Sequence, residues 1–241
     1  MINVVCLKWG TKYSVDYVNR LYGMVKRNLK EDFKFYCMTE CAEGIRSEVN
    51  ILPLPDLGLK GWWYKLYLFN ENFYGLSGDV LFLDLDVVIT GSLDNLVNYQ
   101  RDKFCISPDE KPGDYNSSVM RFKLGSRPYV WQSFWGQREA IVNQMHGDQD
   151  WVQHICLDAE IFPKPFVVSF KYDCQSRAKF GGGGVGRWLR KKGLFKPKKQ
   201  SVVPDGTSIV LFHGKPDPED VMGSSYDKYR YSPWVKEYWQ I

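Results

Sequence analysis

Apolar residues recur along this chain with two periods. Residues 2–8, INVVCLK, are Val-rich and run out near Gly10, which predicts a buried strand followed by a loop. In 14–29, SVDYVNRLYGMVKRNL, the positions Val15, Val18, Leu21, Tyr22, Val25 and Leu29 fall on one stripe behind an N-cap at Ser14, so an amphipathic helix is expected. Strand character returns in 33–39 (FKFYCMT) and in 49–55 (VNILPLP), where prolines stop it. WWYKLYLFN (62–70) has helical spacing and leads, through a Gly-containing turn at 75–78, into an apolar strand expected over 80–86. Two further strands are expected at 103–108 and 117–122, then a helix started by Pro128, and a late strand in SIVLFHGKPDP (208–218). Strand, helix, strand, and then more strands with helices between them is the rhythm of an α/β protein with a central, mostly parallel sheet.

Within that pattern one segment breaks the rule that buried strands exclude charge. LFLDLDVVIT (81–90) is apolar at almost every position yet carries Asp84 and Asp86. Two residues with one spacer on a strand point to the same face, and like charges held side by side in apolar surroundings call for a cation. A divalent metal bridging the pair to phosphate oxygens is one answer; a strand end, with one Asp in solvent and the other capping a turn, is the alternative. In parallel sheets ligands collect at the carboxyl ends of strands, where this pair is expected.

Composition narrows the classes. The 241 residues suit a single domain, 44% hydrophobic and 25% charged, as in ordinary globular chains. The basic run 187–199, RWLRKKGLFKPKK, holds seven cations and no acid; removing them from the net charge of +4 leaves −3, so a broad nucleic-acid footprint is excluded. That run follows four consecutive glycines, and 175–200 is the segment expected to be mobile. It reads as a solvated charge run, as a lid, or as a peripheral membrane contact through Trp188, Leu189, Leu194 and Phe195. The six cysteines form no CxxC pair, which argues against a zinc site or disulfide framework and for a reducing, cytoplasmic location. No apolar run reaches the length of a membrane span, and the start lacks the form of a signal peptide.

Over its whole length LFLDLDVVITGSLDNL resembles the DxD segment of glycosyltransferase family 8, the group that includes glycogenin and bacterial α-galactosyltransferases. The trailing GSLDNL strengthens the resemblance, because a bare DxD does not require it. Three more segments follow the family's order: YKLYLF around Lys65, YNSSVMRF around Asn116, and GDQDWV with Asp148 and Gln149. The resemblance implies a GT-A fold and a metal-dependent transferase that retains anomeric configuration while moving a sugar from a nucleoside diphosphate donor, UDP-sugar by implication, to an acceptor hydroxyl. It implies that Asp84, Asp86 and His213 hold manganese (magnesium being the alternative), and that Lys65, Gly214 and Lys215 meet the diphosphate, with Leu85 also donor-binding. Asn116 would lie near the transferring sugar, Asp148 would orient its hydroxyls, and Gln149 would stand beside the anomeric carbon. In the amino-terminal KWGTKY, Thr11 takes a polar donor-binding position and Tyr13 would stack on the base. The acceptor would be a glycan, glycolipid or protein.

Two other readings stay open at this point. A haloacid-dehalogenase-like phosphatase would use Asp84 as its nucleophile, although such enzymes usually place Gly after the second Asp and the motif near the chain start; here Val87 follows. A non-catalytic sugar-binding protein on the same scaffold is the third.

Overall fold

A computed structural model describes residues 1–175 and 200–241, so the glycine-rich and basic run lies outside the described residues. The first strands form where the sequence places them: β1 (Ile2–Lys8), β2 (Phe33–Thr39) and β3 (Asn50–Pro53), with helix α1 (Val15–Asn28) between β1 and β2. In α1 the stripe Val18, Leu21 and Val25 is fully buried, Asp16 sits in the first turn, and Lys26 and Arg27 occupy the last, which suits the helix dipole. Ser14 takes the N-cap position in extended conformation, but its side chain makes no capping bond.

The segment 62–70 is a 3₁₀ helix, Gly61–Phe69, rather than an α-helix. After it come β4 (Asp79–Leu83), β5 (Val87–Ile89), α2 (Asp94–Asn98), β6 (Cys105–Pro108) and β7 (Tyr115–Lys123). The helix expected from Pro128 onward is split at Gln137 into α3 (Pro128–Gly136) and α4 (Arg138–Gln144). Then follow α5 (Asp148–Ile155), β8 (Glu160–Ile161), β9 (Val167–Ser169), a π-helical turn (Phe170–Cys174), β10 (Ile209–Leu211), α6 (Pro218–Met222) and α7 (Trp234–Tyr238).

Seven strands make the main sheet in the order β3-β2-β1-β4-β7-β6-β8, and β5-β10-β9 make a second, smaller one. Parallel pairing runs from β3 to β4 and joins β6 to β8, whereas β7 lies antiparallel to both β4 and β6. The mostly parallel sheet expected from the sequence is therefore present, with an antiparallel insertion at β7. Its strand order reverses at β1, so a crevice opens outside the carboxyl ends of β1 and β4. Two apolar clusters cover the sheet. One packs α1 and the smaller sheet against it, and the other packs the aromatic 3₁₀ helix, α3 and α5 on the opposite side.

One expectation is corrected here. The acidic pair does not share a strand. β4 ends at Leu83, and the chain turns through Asp84, Leu85 and Asp86 before pairing as β5 in the other sheet. The same-face argument for the two carboxylates therefore fails, and both belong instead to the link between two sheets. All six cysteines are free, and all but Cys41 are buried. No described helix is long and apolar enough to cross a membrane.

Candidate active site

The crevice at the β1/β4 reversal opens into a cleft of about 460 Å³. Its lining brings together Tyr13, Lys65, Asp84, Leu85, Asp86, Asn116, Asp148, Gln149 and His213, nine of the twelve positions singled out from sequence. They come from the loop after β1, the 3₁₀ helix, the β4–β5 turn, β7, the start of α5 and the end of β10. Thr11, Gly214 and Lys215 are not in that lining.

Lys65 is the electrostatic centre of the cleft. It is 5% exposed, and its Nζ stands 3.2 Å from Asp84 Oδ2 and 3.2 Å from Asp148 Oδ2, while donating to Ser117 Oγ at 3.0 Å. Burial alone would depress the lysine, but Asp148 and then Asp84 more than offset it, and its pKa ends raised. Asp148 is equally hidden; burial raises its carboxyl, against the pull of Lys65. The ammonium is thus held charged between two acids from different elements.

Asp86 has no such lysine. It is pushed up to about 7, first by burial and then by the charge of Asp84, with the Tyr13 hydroxyl donating to its Oδ2 at 2.8 Å as a partial remedy. Burial, followed by Asp86, holds the Tyr13 phenol well above its ordinary value, so it stays a donor. Tyr13 carries the Lys12 ammonium over its ring at 4.4 Å, and Tyr17 packs beside it at 4.7 Å between centroids.

Asp84 and Asp86 together suit a hard cation, since the acidic excess at Asp86 is what such an ion relieves. His213 reaches the same cleft, but its Nε2 is 2.8 Å from Ser169 Oγ and its ring stacks near Tyr172. Burial, then Lys171, lowers its pKa, so the imidazole favours its neutral, ligand-competent form. Among the described residues no three acids, histidines or thiols stand assembled as a metal cluster. The two carboxylates fit a metal by chemistry, with Asp84 also facing the Lys65 ammonium. The imidazole fits by chemistry and is turned toward Ser169.

Gln149 bridges two walls, donating from Nε2 to Asp109 Oδ2 at 2.9 Å and accepting from the Ser117 amide at 3.4 Å. Asn116 lies within β7, and its Oδ1 accepts from the Ser118 amide at 2.9 Å, at the point where the register of β7 against β6 shifts.

Sequence reasoning missed Lys171. Lys65 and Lys215 were the cations expected at the diphosphate; Lys65 is held by Asp84 and Asp148, while Lys215 is largely exposed and braces the start of α6, with Asp217 at 2.8 Å and Asp220 at 2.9 Å. Lys171, on the π-helical turn, is half-buried and, like Lys215, lies outside the cleft lining. A methyl group added at Gly214 would stand 3.7 Å from its Nζ, and its charge is felt at both His213 and Asp86. Burial, then Lys228, lowers its pKa. No apolar or motif pattern in FKYDC marks this lysine; π-helical turns recur at functional sites, but sequence does not announce them.

No family profile matches the chain, and no curated protein matches it in sequence. Its fold is similar to that of the galactosyltransferase LgtC crystallised with donor and acceptor sugar analogues, at 13% identity over 90% of this chain and 88% of that one, TM-score 0.58. An active-site variant of LgtC is similar at 13% identity over 90% and 89%, TM-score 0.59. The glycosyltransferase GlyE of Streptococcus pneumoniae is similar at 11% identity over 99% of this chain, which spans 60% of GlyE, TM-score 0.61. At such identities the likeness establishes the fold, and the GT-A architecture expected from sequence is the one found.

Proposed function

We propose that this protein is a metal-dependent glycosyltransferase that moves a sugar from a nucleoside diphosphate donor, a UDP-sugar, to an acceptor hydroxyl with retention of configuration. The observation that supports it best is the convergence of Lys65, Asp84, Asp86, Asn116, Asp148, Gln149 and His213 on one cleft from five separate elements. Asp84, Asp86 and His213 would hold manganese, which when bound supplies charge neutralisation at the diphosphate. In transfer, the bond from the sugar's anomeric carbon to the β-phosphate oxygen breaks, a bond to the acceptor oxygen forms on the same face, and the acceptor's proton leaves with the diphosphate. Lys171, whose Nζ lies near Gly214 and whose charge reaches Asp86, would stabilise the charge that develops on that leaving group. Lys65 holds Asp84 and Asp148 in place, and Asp148 in turn would accept from sugar hydroxyls. Gln149, pinned by Asp109, would present its amide to the sugar ring.

The test is hydrolysis and transfer from a panel of UDP-sugars with manganese, with magnesium and with EDTA. Manganese-supported use of at least one donor, lost with EDTA and in Asp84→Ala and His213→Ala, is the expected result. Hydrolysis of p-nitrophenyl phosphate without donor use would put the phosphatase reading in its place. Donor binding without turnover under any metal would leave a sugar-binding protein. The whole chain would act as one catalytic domain.

A further inference from the structure

Beside the cleft lies a larger groove of about 720 Å³, walled by the loop 58–63 and by α4, and the two share Trp9, Gly61 and Trp62. Its surface is aromatic and open: Trp62 is 54% exposed, Trp9 41% and Val142 39%. Two indoles left this open beside a polar cleft call for an occupant, since large apolar side chains are normally covered. Trp62 is also fixed at the junction. A methyl group on Gly147, the residue before Asp148, would stand 2.9 Å from its indole Nε1. The indole therefore lies against the backbone that leads into the sugar-facing end of α5.

We propose that this groove is an acceptor subsite that takes an oligosaccharide, its terminal hydroxyl directed into the cleft and its following units lying over Trp62 and Trp9. The proposal rests on the transferase reading and names its substrate class. A pyranose ring presents a face of C–H groups that packs on an indole, and it needs hydrogen-bonding partners around its edge. The groove's lining offers both: the indoles of Trp9, Trp62 and Trp63, and the polar ends of Lys60, Arg138, Glu139 and Asn143. Lys60 and Arg138 face one acid, Glu139, with Arg138 and Glu139 4.0 Å apart, so the lining has an excess of one positive charge and no cluster of cations built to hold an anionic chain. The volume lies within the roughly 300–1,000 Å³ of ordinary ligand pockets, enough for more than one ring. A lipid carrier would want an unbroken apolar channel, and this rim interrupts one.

The test uses the full chain and titrates tetrasaccharides of glucose, galactose, mannose, xylose and N-acetylglucosamine by calorimetry without donor, beside the matching disaccharides. One tetrasaccharide is expected to bind, more tightly than its disaccharide, and Trp62→Ala to weaken it about tenfold, with Trp62→Phe restoring most of the loss. Thermal melting of each variant separates loss of the subsite from loss of the fold. Absence of tetrasaccharide binding, or binding that Trp62→Ala leaves intact, overturns the proposal, as does Trp62-dependent binding of polyprenyl phosphate in its place. Donor hydrolysis by the wild type is scored separately. Hydrolysis without oligosaccharide binding removes the subsite and leaves the transferase, whereas Trp62-dependent binding without donor use removes the transferase and leaves a saccharide site.

Discussion

At the residue scale the cleft is organised by a buried lysine shared between two acids. Removing Lys65 leaves Asp84 and Asp148 facing each other without compensation, so Lys65→Met is expected to cost about 3–5 kcal/mol, seen as a lowered midpoint in urea. Lys65→Arg does not rescue it: a planar guanidinium needs more room than the point charge that Ser117 and both acids surround. The two candidate diphosphate cations are expected to separate cleanly. Lys171→Met should lower kcat with the best UDP-sugar by about 10²-fold, whereas Lys215→Met should leave kcat within about threefold, because Lys215 is engaged with Asp217 and Asp220. Steady-state kinetics with both variants decides it; equal losses would place both lysines at the diphosphate.

At the scale of elements, most strands and the first helix were legible because their periods are clean. β1 and β2 match the expected bounds, and α1 differs by one residue at each end. What the pattern hid was where a strand changes partners. VLFLDLDVVI is one apolar run to the eye, yet it is two short strands in two sheets, and hydropathy carries no mark of that handover. Nine of the twelve site positions line one cleft, which ordered motifs made legible; that Lys215 braces a helix start and that Lys171 sits on a π-helical turn had no periodic signal. Arg121 is similar. It looks like the polar face of β7, but it is wholly buried, with its guanidinium donating to the carbonyls of Tyr99, Gln100 and Arg101.

GSLDNL has a structural account within the same frame. Ser92 Oγ donates to Asp94, and Asp94 accepts from the Lys30 amide at 3.0 Å, so the motif ties α2 to the end of α1. A methyl group on Gly91 would stand 2.5 Å from the Thr207 carbonyl oxygen, so Gly91→Ala is expected to destabilise by about 1–3 kcal/mol, measured by thermal melting. Elsewhere Arg127 clasps Asp158 with two bonds of 2.8 and 2.7 Å, joining the start of α3 to the turn after α5. Those bonds hold the Asp158 carboxyl below its ordinary value, and a depressed carboxylate stabilises the fold above its unfolded pKa and ceases to as pH falls through the folded one. Asp158→Asn should therefore lower stability by about 0.5 kcal/mol near neutral pH, an exposed pair being well screened, and the difference from wild type should shrink on acidification below about pH 4.

At the scale of the whole molecule, ligand and fold are linked. UDP with manganese at about a hundred times its dissociation constant should stabilise the chain by about 2.7 kcal/mol, and manganese alone or UDP alone by clearly less, read as shifts in melting temperature. Equal shifts with EDTA present would reject the metal. The placement of the acidic pair on the link between β4 and β5 has a mechanical corollary. An ion gripped there would act as a rivet through a seam, joining two layers that also meet by packing and by the chain links at 84–86, 90–104 and 162–166. Amide protons of β5, β10 and also β9, which contributes no residue to the cleft, should then exchange with deuterium more slowly once nucleotide and ion are seated, so that filling the pocket is felt as stiffness across the smaller sheet.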